Sequence, residues 1–338
     1  MFLRSFVKKN NNIKPIGLKN INLNCYMNSV VQCLFHLTKF RDYFINNNFS
    51  KEDKPVSFEL KNIMEKLNDQ NNRTPFGLTE FKKIMSDIDD CFKGSNGADA
   101  SDLLRYIFSY LSSEQTQCIG LNISQMSSYN INTNDLEKCY KECRDRIGDN
   151  TALKFVTNYI KTQNQCLNGD KHGFFYSKHK PFYEVENQSI IDINIKAYND
   201  LSIFFNNYSS SKESIEFCPE CNDEVKCESK KNFYKTSDYL IINIDYEKNS
   251  ELNKKISYKS QLSIRIENSN SYYYFAFIGA VFHKGKFSSS GHYFACCSAE
   301  NKLYLLDDTQ VEVLTQKKFN NIYYDKENIP CIFFYEKK

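Results

Sequence analysis

The chain has no apolar run near the ~18 residues that a membrane-spanning helix requires. It also carries almost no excess charge of one sign, with 44 Lys and Arg against 41 Asp and Glu. The first absence argues against a membrane partner. The second argues against nucleic acid, because a net charge of +3 with lysines and acids interspersed leaves no basic stripe for a phosphate backbone. No secretory leader is expected either, since the opening segment MFLRSFVKKNNN interrupts its few apolar residues with Arg4 and Lys8. The 13 cysteines in 338 residues are therefore not read as a disulfide scaffold, which belongs to short secreted chains. A reducing setting, cytoplasmic or nuclear, is expected.

What the chain does have is a cysteine in a special place. Cys25 stands at the start of the apolar pattern CYMNSVVQCLFHL, which predicts a helix. A thiol at a helix N-terminus feels the positive end of the macrodipole, which favours the nucleophilic thiolate. Far along the chain, Phe275 to Phe282 and Tyr293 to Ser298 read as strands, separated by a Gly/Ser/Lys loop that ends in Gly291 and His292. The following strand, LYLL, closes on Asp307 and Asp308. Thiol, imidazole and carboxylate are the parts of a nucleophile, its base and the group that orients the base. Because they lie near opposite termini, one catalytic domain whose ends pack together is expected, although the length alone suggests two.

These segments resemble the boxes of the ubiquitin-specific proteases, papain-like cysteine proteases that remove ubiquitin. Gly17, Leu18, Asn20, Cys25, Tyr26, Met27, Asn28, Ser29, Gln32 and Leu34 fit the family's cysteine box, GLxNxGNTCYMNSxLQxL. His283, Gly285, Gly291, His292, Tyr293, Ala295, Asp307 and Asp308 fit its histidine box. Between them GADASDLLRYIFSYL resembles the QQDAxEFLxxLL helix, with Asp99, Ala100 and Leu104 kept and Asp102 where glutamate is usual. The last strand, IPCIFFYEKK, is similar to the family's closing AYxLFYxR.

The resemblance implies an α+β, papain-like cysteine protease fold with thumb, palm and fingers. It places a single catalytic domain over 17–337 after an extension at 1–16, with the thumb at about 17–165 and fingers and palm at about 166–337. It implies a thiol hydrolase that cleaves the isopeptide or peptide bond after ubiquitin's C-terminal glycine. Such an enzyme uses no cofactor and acts as a monomer on ubiquitin or ubiquitinated proteins. A catalytically silent ubiquitin-binding scaffold and a protease for a ubiquitin-like modifier are the alternatives.

Carried over residue by residue, Cys25 is the nucleophile, His292 the base, Asp307 the third triad member and Asn20 the oxyanion donor. Asp308 is a second acid at the site, and the roles of Asp307 and Asp308 could be exchanged. Gly291 and Tyr293 are expected beside the substrate, and His283 as a structural hydrogen-bonder. Ubiquitin's tail, Leu-Arg-Leu-Arg-Gly-Gly, is cationic, and Asp99 and Asp102 are expected to meet it from one helix face. The competing reading makes Asp99 an ordinary helix cap.

Besides Asp102, the chain departs from the family at two places. Asn22, Leu23 and Asn24 replace Gly-Asn-Thr before the nucleophile, where asparagine tolerates left-handed backbone. In the fingers, Cys218 and Cys221 have the spacing of half a zinc ribbon, but Pro181 and Glu184 stand at about the positions of the partner pair. Cys166, His172, His179 and Cys227 lack paired spacing. The expectation is a decayed ribbon with no metal ligands, held by strand pairing and aromatic packing, with Cys218 and Cys221 as free thiols. Helices are expected at Phe58 to Leu67, Leu78 to Met85, Asp99 to Leu111, Asp135 to Ile147 and Thr151 to Ile160, and strands from Gly173 onward.

Overall fold

In a computed structural model the described residues are 13–94, 97–115, 135–148, 150–167, 180–246, 255–265, 271–287 and 290–338. Apolar residues at helical spacing in the first third fold as α1 (Cys25–Phe35), α2 (Thr38–Asn46), α3 (Pro55–Asn68), α4 (Thr79–Ile88) and α5 (Ala100–Gln115). Pro55 opens α3, where its missing N–H would have no partner in any case. Every residue of α1 is buried, so this helix lies between the helical lobe and a sheet and has no solvent face. α6 (Leu136–Ile147) starts at Asp135, whose carboxylate accepts from the Lys138 N–H at 3.1 Å.

A short parallel pair, β1 (Leu18–Lys19) with β2 (Phe76–Gly77), ties the segment before α1 to the helical lobe. The remaining strands form two sheets. β3 (Asn158–Cys166), β4 (Phe182–Gln188), β6 (Ser211–Cys218) and β7 (Asp223–Lys235) make an antiparallel finger sheet in the order β4-β3-β7-β6. The palm sheet contains β5 (Ile191–Asn194), β8 (Tyr239–Asp245), β9 (Gln261–Arg265), β10 (Tyr272–Phe287), β11 (Ser290–Ala299), β12 (Lys302–Asp307), β13 (Gln310–Leu314) and β14 (Asn328–Lys337). Its order is β13-β12-β11-β10-β14-β8-β5, with β9 also on β10, and only β5 runs parallel to its neighbour.

The run YLIINI in β8 shows why this sheet is apolar on both faces. Tyr239 and Ile241 pack with α1 and the helical lobe, whereas Leu240 and Ile242 pack in a second core. That second core also holds residues of α7 (Leu201–Asn207) and α8 (Gln316–Tyr324). Alternate side chains of a strand point to opposite faces, so a strand covered twice must be apolar throughout.

Three expectations are corrected. Residues 13–16 are not an extension beyond the domain: Ile13 and Ile16 are buried in the core, and Gln32 Nε2 donates to the Ile16 carbonyl at 2.6 Å. The helix expected over Thr151 to Ile160 is a short 3-10 turn, Ala152–Phe155, followed by β3. The fingers therefore begin at Asn158 and not at 166. Buried polar side chains hid the strand pattern: Asn158 accepts from the Ser237 N–H at 3.1 Å, and Asn164 accepts from the Ser229 hydroxyl at 2.5 Å. α6 also sits at the finger root, with the Tyr140 ring 5.0 Å from Tyr159 and 5.4 Å from Tyr234. No helix among the described residues is long and apolar enough to cross a membrane.

Candidate active site

The N-terminal segment meets the far end of the chain through backbone. The Leu18 N–H donates to the Asp308 carbonyl at 2.8 Å. A Cβ on Gly17 would stand 2.6 Å from the Thr309 carbonyl oxygen, so only glycine allows this approach. α1 then lies across β11, held at two points. The Tyr293 N–H points at Cys25 Sγ at 3.5 Å, and Cys33 Sγ lies 3.6 Å from Cys297 Sγ.

Cys25 opens α1 and is 6% exposed. His292 on β11 places Nε2 2.5 Å from Asp307 Oδ1 at the end of the neighbouring strand β12. With Nε2 engaged by Asp307, Nδ1 is the nitrogen left to face Cys25. The Asp307 hydrogen bond, followed by the influence of Cys25, outweighs burial and raises the His292 pKa to about 10.

The two adjacent aspartates do different things. Asp307 faces the imidazole. Asp308, in left-handed backbone at φ 52°, accepts from Asn20 Nδ2 at 2.9 Å and from Asn28 Nδ2 at 2.8 Å. Asn20 in turn accepts from the Asn24 N–H at 3.0 Å, and Asn24 Oδ1 accepts from the Ile21 N–H at 2.7 Å. Lys82 Nζ braces the same loop through the carbonyls of Asn22 and, at 2.9 Å, Gly94. Within it Asn22 and Leu23 both adopt φ 55°. For leucine that region costs about 1–2 kcal/mol, and a side chain 53% exposed regains little by packing.

The residues expected along the substrate path are partly reassigned. Tyr293 is buried, its ring 4.7 Å from that of His283 and its hydroxyl 3.3 Å from Asp99 Oδ2, so its side chain is an internal strut. A Cβ on Gly291 would lie 2.3 Å from the Lys284 carbonyl and 2.4 Å from His283 Cε1. The glycine is therefore demanded by the neighbouring strand, whatever the substrate requires. Asp99 Oδ1 accepts from the N–H groups of Ser101 at 2.7 Å and Asp102 at 3.4 Å, so it caps α5. Asp102 remains half-buried in the first turn. His283 is buried and burial lowers its pKa, in keeping with a structural role. Sequence reading gave no role to Asn24, Asn28 or Lys82. The signal for Asn28 lay in the cysteine box itself, whereas nothing local marks Lys82.

In the fingers, Cys218 and Cys221 lie close to a third cysteine. β3 ends by bringing Cys166 Sγ within 3.7 Å of Cys221 Sγ, and the sulphurs of Cys166, Cys218 and Cys221 all lie within 4.8 Å of one another. Burial and then the neighbouring thiols push the Cys221 thiol up to about 12. Three soft sulphur donors fit three of the four positions of a structural zinc. Zinc held by Cys166, Cys218 and Cys221 would staple the β6–β7 hairpin to the end of β3. Cys227 lies in register opposite Cys166, and His172 and His179 lie outside the described residues.

Comparison with known proteins agrees with this geometry. The sequence pattern of the family described as ubiquitin carboxyl-terminal hydrolase matches residues 16–335. Ubiquitin carboxyl-terminal hydrolase Usp2 of Drosophila melanogaster is 23% identical over 296 residues, covering 83% of this chain and 31% of its own. Ubiquitin carboxyl-terminal hydrolase 4 of Arabidopsis thaliana is 19% identical over 327 residues, 89% of this chain and 85% of its own. The chain thus spans about a third of the fly relative and most of the plant one. Among solved structures, the SAGA DUB module Ubp8/Sgf11/Sus1/Sgf73 bound to monoubiquitin superposes with a TM-score of 0.69 at 16% identity. The match covers 99% of this chain and 72% of that one, a shared fold. With the family pattern running nearly end to end, the chain belongs to the ubiquitin carboxyl-terminal hydrolase family.

Proposed function

We propose that this chain is a cysteine-type deubiquitinase that hydrolyses the isopeptide or peptide bond after the C-terminal glycine of ubiquitin. The observation that carries this reading is the convergence of Cys25, His292 and Asp307, with the His292 ring bonded to Asp307 and the N–H of the next residue, Tyr293, pointing at Cys25 Sγ. In the reaction Cys25 gives its proton to His292, which becomes the imidazolium, and the thiolate so formed attacks the glycine carbonyl carbon. The oxyanion is stabilised by the Asn20 N–H not engaged by Asp308, a donor of a kind typically worth ~10²–10³ in rate. Collapse expels the amine, which takes its proton from the His292 imidazolium, and leaves a thioester on Cys25. Water, deprotonated by His292, then releases ubiquitin with a free carboxylate and restores the thiol. Asp307 holds the ring in one orientation through both halves. The chemistry needs no cofactor from this chain.

Ubiquitin as substrate is supported by family membership and by the palm and fingers beside the catalytic cysteine. A reducing compartment, cytoplasm or nucleus, suits a thiol nucleophile in a chain whose twelve described cysteines are thiols. The deciding experiment is a panel of suicide probes carrying ubiquitin or ubiquitin-like modifiers, run beside release of a fluorophore from ubiquitin's C-terminus. Labelling of Cys25 by the ubiquitin probe with fluorophore turnover supports the reading. Labelling only by another modifier redirects the substrate, and ubiquitin binding with no labelling makes the chain a scaffold.

A further inference from the structure

The loop that leads Asn20 into α1 is held partly by itself. Asn20 Oδ1 accepts from the Asn24 N–H and Asn24 Oδ1 from the Ile21 N–H. Both bonds travel with the loop, so neither fixes where it points. Polar ties from outside reach it from two directions. On one side Asp308 receives the amides of Asn20 and Asn28. On the other, Lys82 of α4 gives Nζ to the Asn22 carbonyl, and the same ammonium donates to the Gly94 carbonyl at 2.9 Å.

Lys82 stands on an anchored base. Its neighbours on α4, Phe81 and Met85, are buried in the core of the helical lobe. One turn along, the Ser86 hydroxyl oxygen lies 2.7 Å from the Lys82 carbonyl oxygen and 2.9 Å from that of Phe92. α4 and the segment leading to Gly94 thus form one platform, and the ammonium joins the loop to it. This lysine is half-buried, and burial lowers its pKa with no carboxylate among the described residues raising it again. A lysine kept only for solubility would leave its head in water. Here two backbone carbonyls take up the charge, in hydrogen bonds stronger than those of a neutral donor.

The loop needs such a grip. Asn22 and Leu23 are consecutive residues in left-handed backbone at φ 55°, a region that residues other than glycine visit singly. Relaxing Leu23 to ordinary backbone would rotate the peptide plane that bears the Asn22 carbonyl, and the bond to Lys82 opposes that rotation.

We propose that Lys82 is a positioning residue for the hydrolysis, which by gripping the Asn22 carbonyl keeps the Asn20 amide aimed at the oxyanion. This rests on the proposed deubiquitinase function. Lys82 acts through Asn20 and not through the nucleophile, because α1 is buried along its whole length and meets β11 at Cys25 and Cys33 independently of the loop. A donor displaced by ~1 Å can cost up to ~10²-fold in rate. Since the oxyanion exists only after attack, the loss falls on kcat.

The test measures kcat and KM for release of a fluorophore from ubiquitin's C-terminus by wild type, Lys82→Met and Lys82→Arg, each also in the Asn20→Ala background. Thermal melting and the rate of Cys25 alkylation by iodoacetamide, read on its own peptide, accompany the kinetics. Lys82→Met should lose roughly 10-fold in kcat, with KM and alkylation little changed. Lys82→Arg, which keeps a cation with donors, should retain most of the rate. In the Asn20→Ala background Lys82→Met should cost nothing further, because the group it aims is gone. Unchanged kcat in Lys82→Met, a loss that multiplies with that of Asn20→Ala, or an equal loss in alkylation rate overturns the inference. If Lys82→Met does not fold, Lys82→Gln, which offers only a shorter neutral donor, is read by the same criteria. Failure of the proposed function is read separately, as absent turnover by the wild type.

Discussion

The side-chain amide of Asn20 donates to Asp308 Oδ2 at 2.9 Å although 288 residues separate the two in the chain. One of its N–H groups is thereby fixed, and the other is aimed by the same bond. Asp308→Ala should therefore act through Asn20, lowering kcat by ~10–10² with KM little changed, and Asn20→Ala should do much the same. The double variant should be no slower than the worse single one, as for two members of a unit. Multiplying effects in steady-state kinetics would place the action of Asp308 elsewhere.

For His292, whose pKa is raised to about 10 mainly by Asp307, the Asp307→Asn variant should titrate closer to the ordinary ~6.5. The raised folded-state pKa means that the pair's stabilisation is fully present below ~6.5 and lost as pH rises through about 10. The stability difference between wild type and Asp307→Asn should thus be largest near pH 6 and close toward pH 10. It should also be small, since the pair is partly exposed. Imidazole NMR titration and denaturant unfolding at several pH values check both statements. The alkaline limb of kcat/KM should move down in the variant, because the imidazolium is lost at lower pH.

Leu23 occupies left-handed backbone with its side chain largely in solvent. Leu23→Asn should stabilise the protein by about 1 kcal/mol, since asparagine tolerates that region. Urea unfolding measures this, and an unchanged or lower midpoint would show that the leucine gains elsewhere what its backbone loses.

Asp99 caps α5 through the Ser101 N–H at 2.7 Å. Asp99→Asn keeps a capping oxygen and should leave stability nearly unchanged, whereas Asp99→Ala should lose about 1 kcal/mol. Comparing kcat/KM of the asparagine variant with wild type at equal stability isolates the charge. A large kinetic loss there would return Asp99 to the path of the cationic tail.

The thiol trio of Cys166, Cys218 and Cys221 predicts metal in the fingers. Protein purified without chelator should contain zinc by elemental analysis, and Cys166→Ser should lose it together with several degrees of melting temperature. Zinc content unaffected by Cys166→Ser would break the trio.

How far the sequence reached depended on the range of the physics. Four helices of the first third, α1, α3, α4 and α5, were legible because helical periodicity is local and most keep one apolar face, whereas α2 was not read from the sequence. α1 is the exception in burial and still legible, because its identity rests on the cysteine box. The catalytic trio was legible through the same boxes, in residue type and order.

The placing of residues was not legible. The division of labour between Asp307 and Asp308 depends on φ 52° at Asp308, which turns the second carboxylate away from the imidazole toward Asn20 and Asn28. Cys166 has no paired spacing in the chain and joins Cys221 only because β3 runs antiparallel to β7 and ends there. β3 itself looked helical because Asn158 and Asn164 are buried with partners from distant segments, which breaks the alternation a strand normally shows. Lys82 lies 60 residues from Asn22 and grips its carbonyl only because the folded lobe sets α4 beside the loop. Local pattern encodes which face a segment buries. Side chains that act on one another across strands and lobes are paired only when the sheet registers are set, and that is a property of the folded chain.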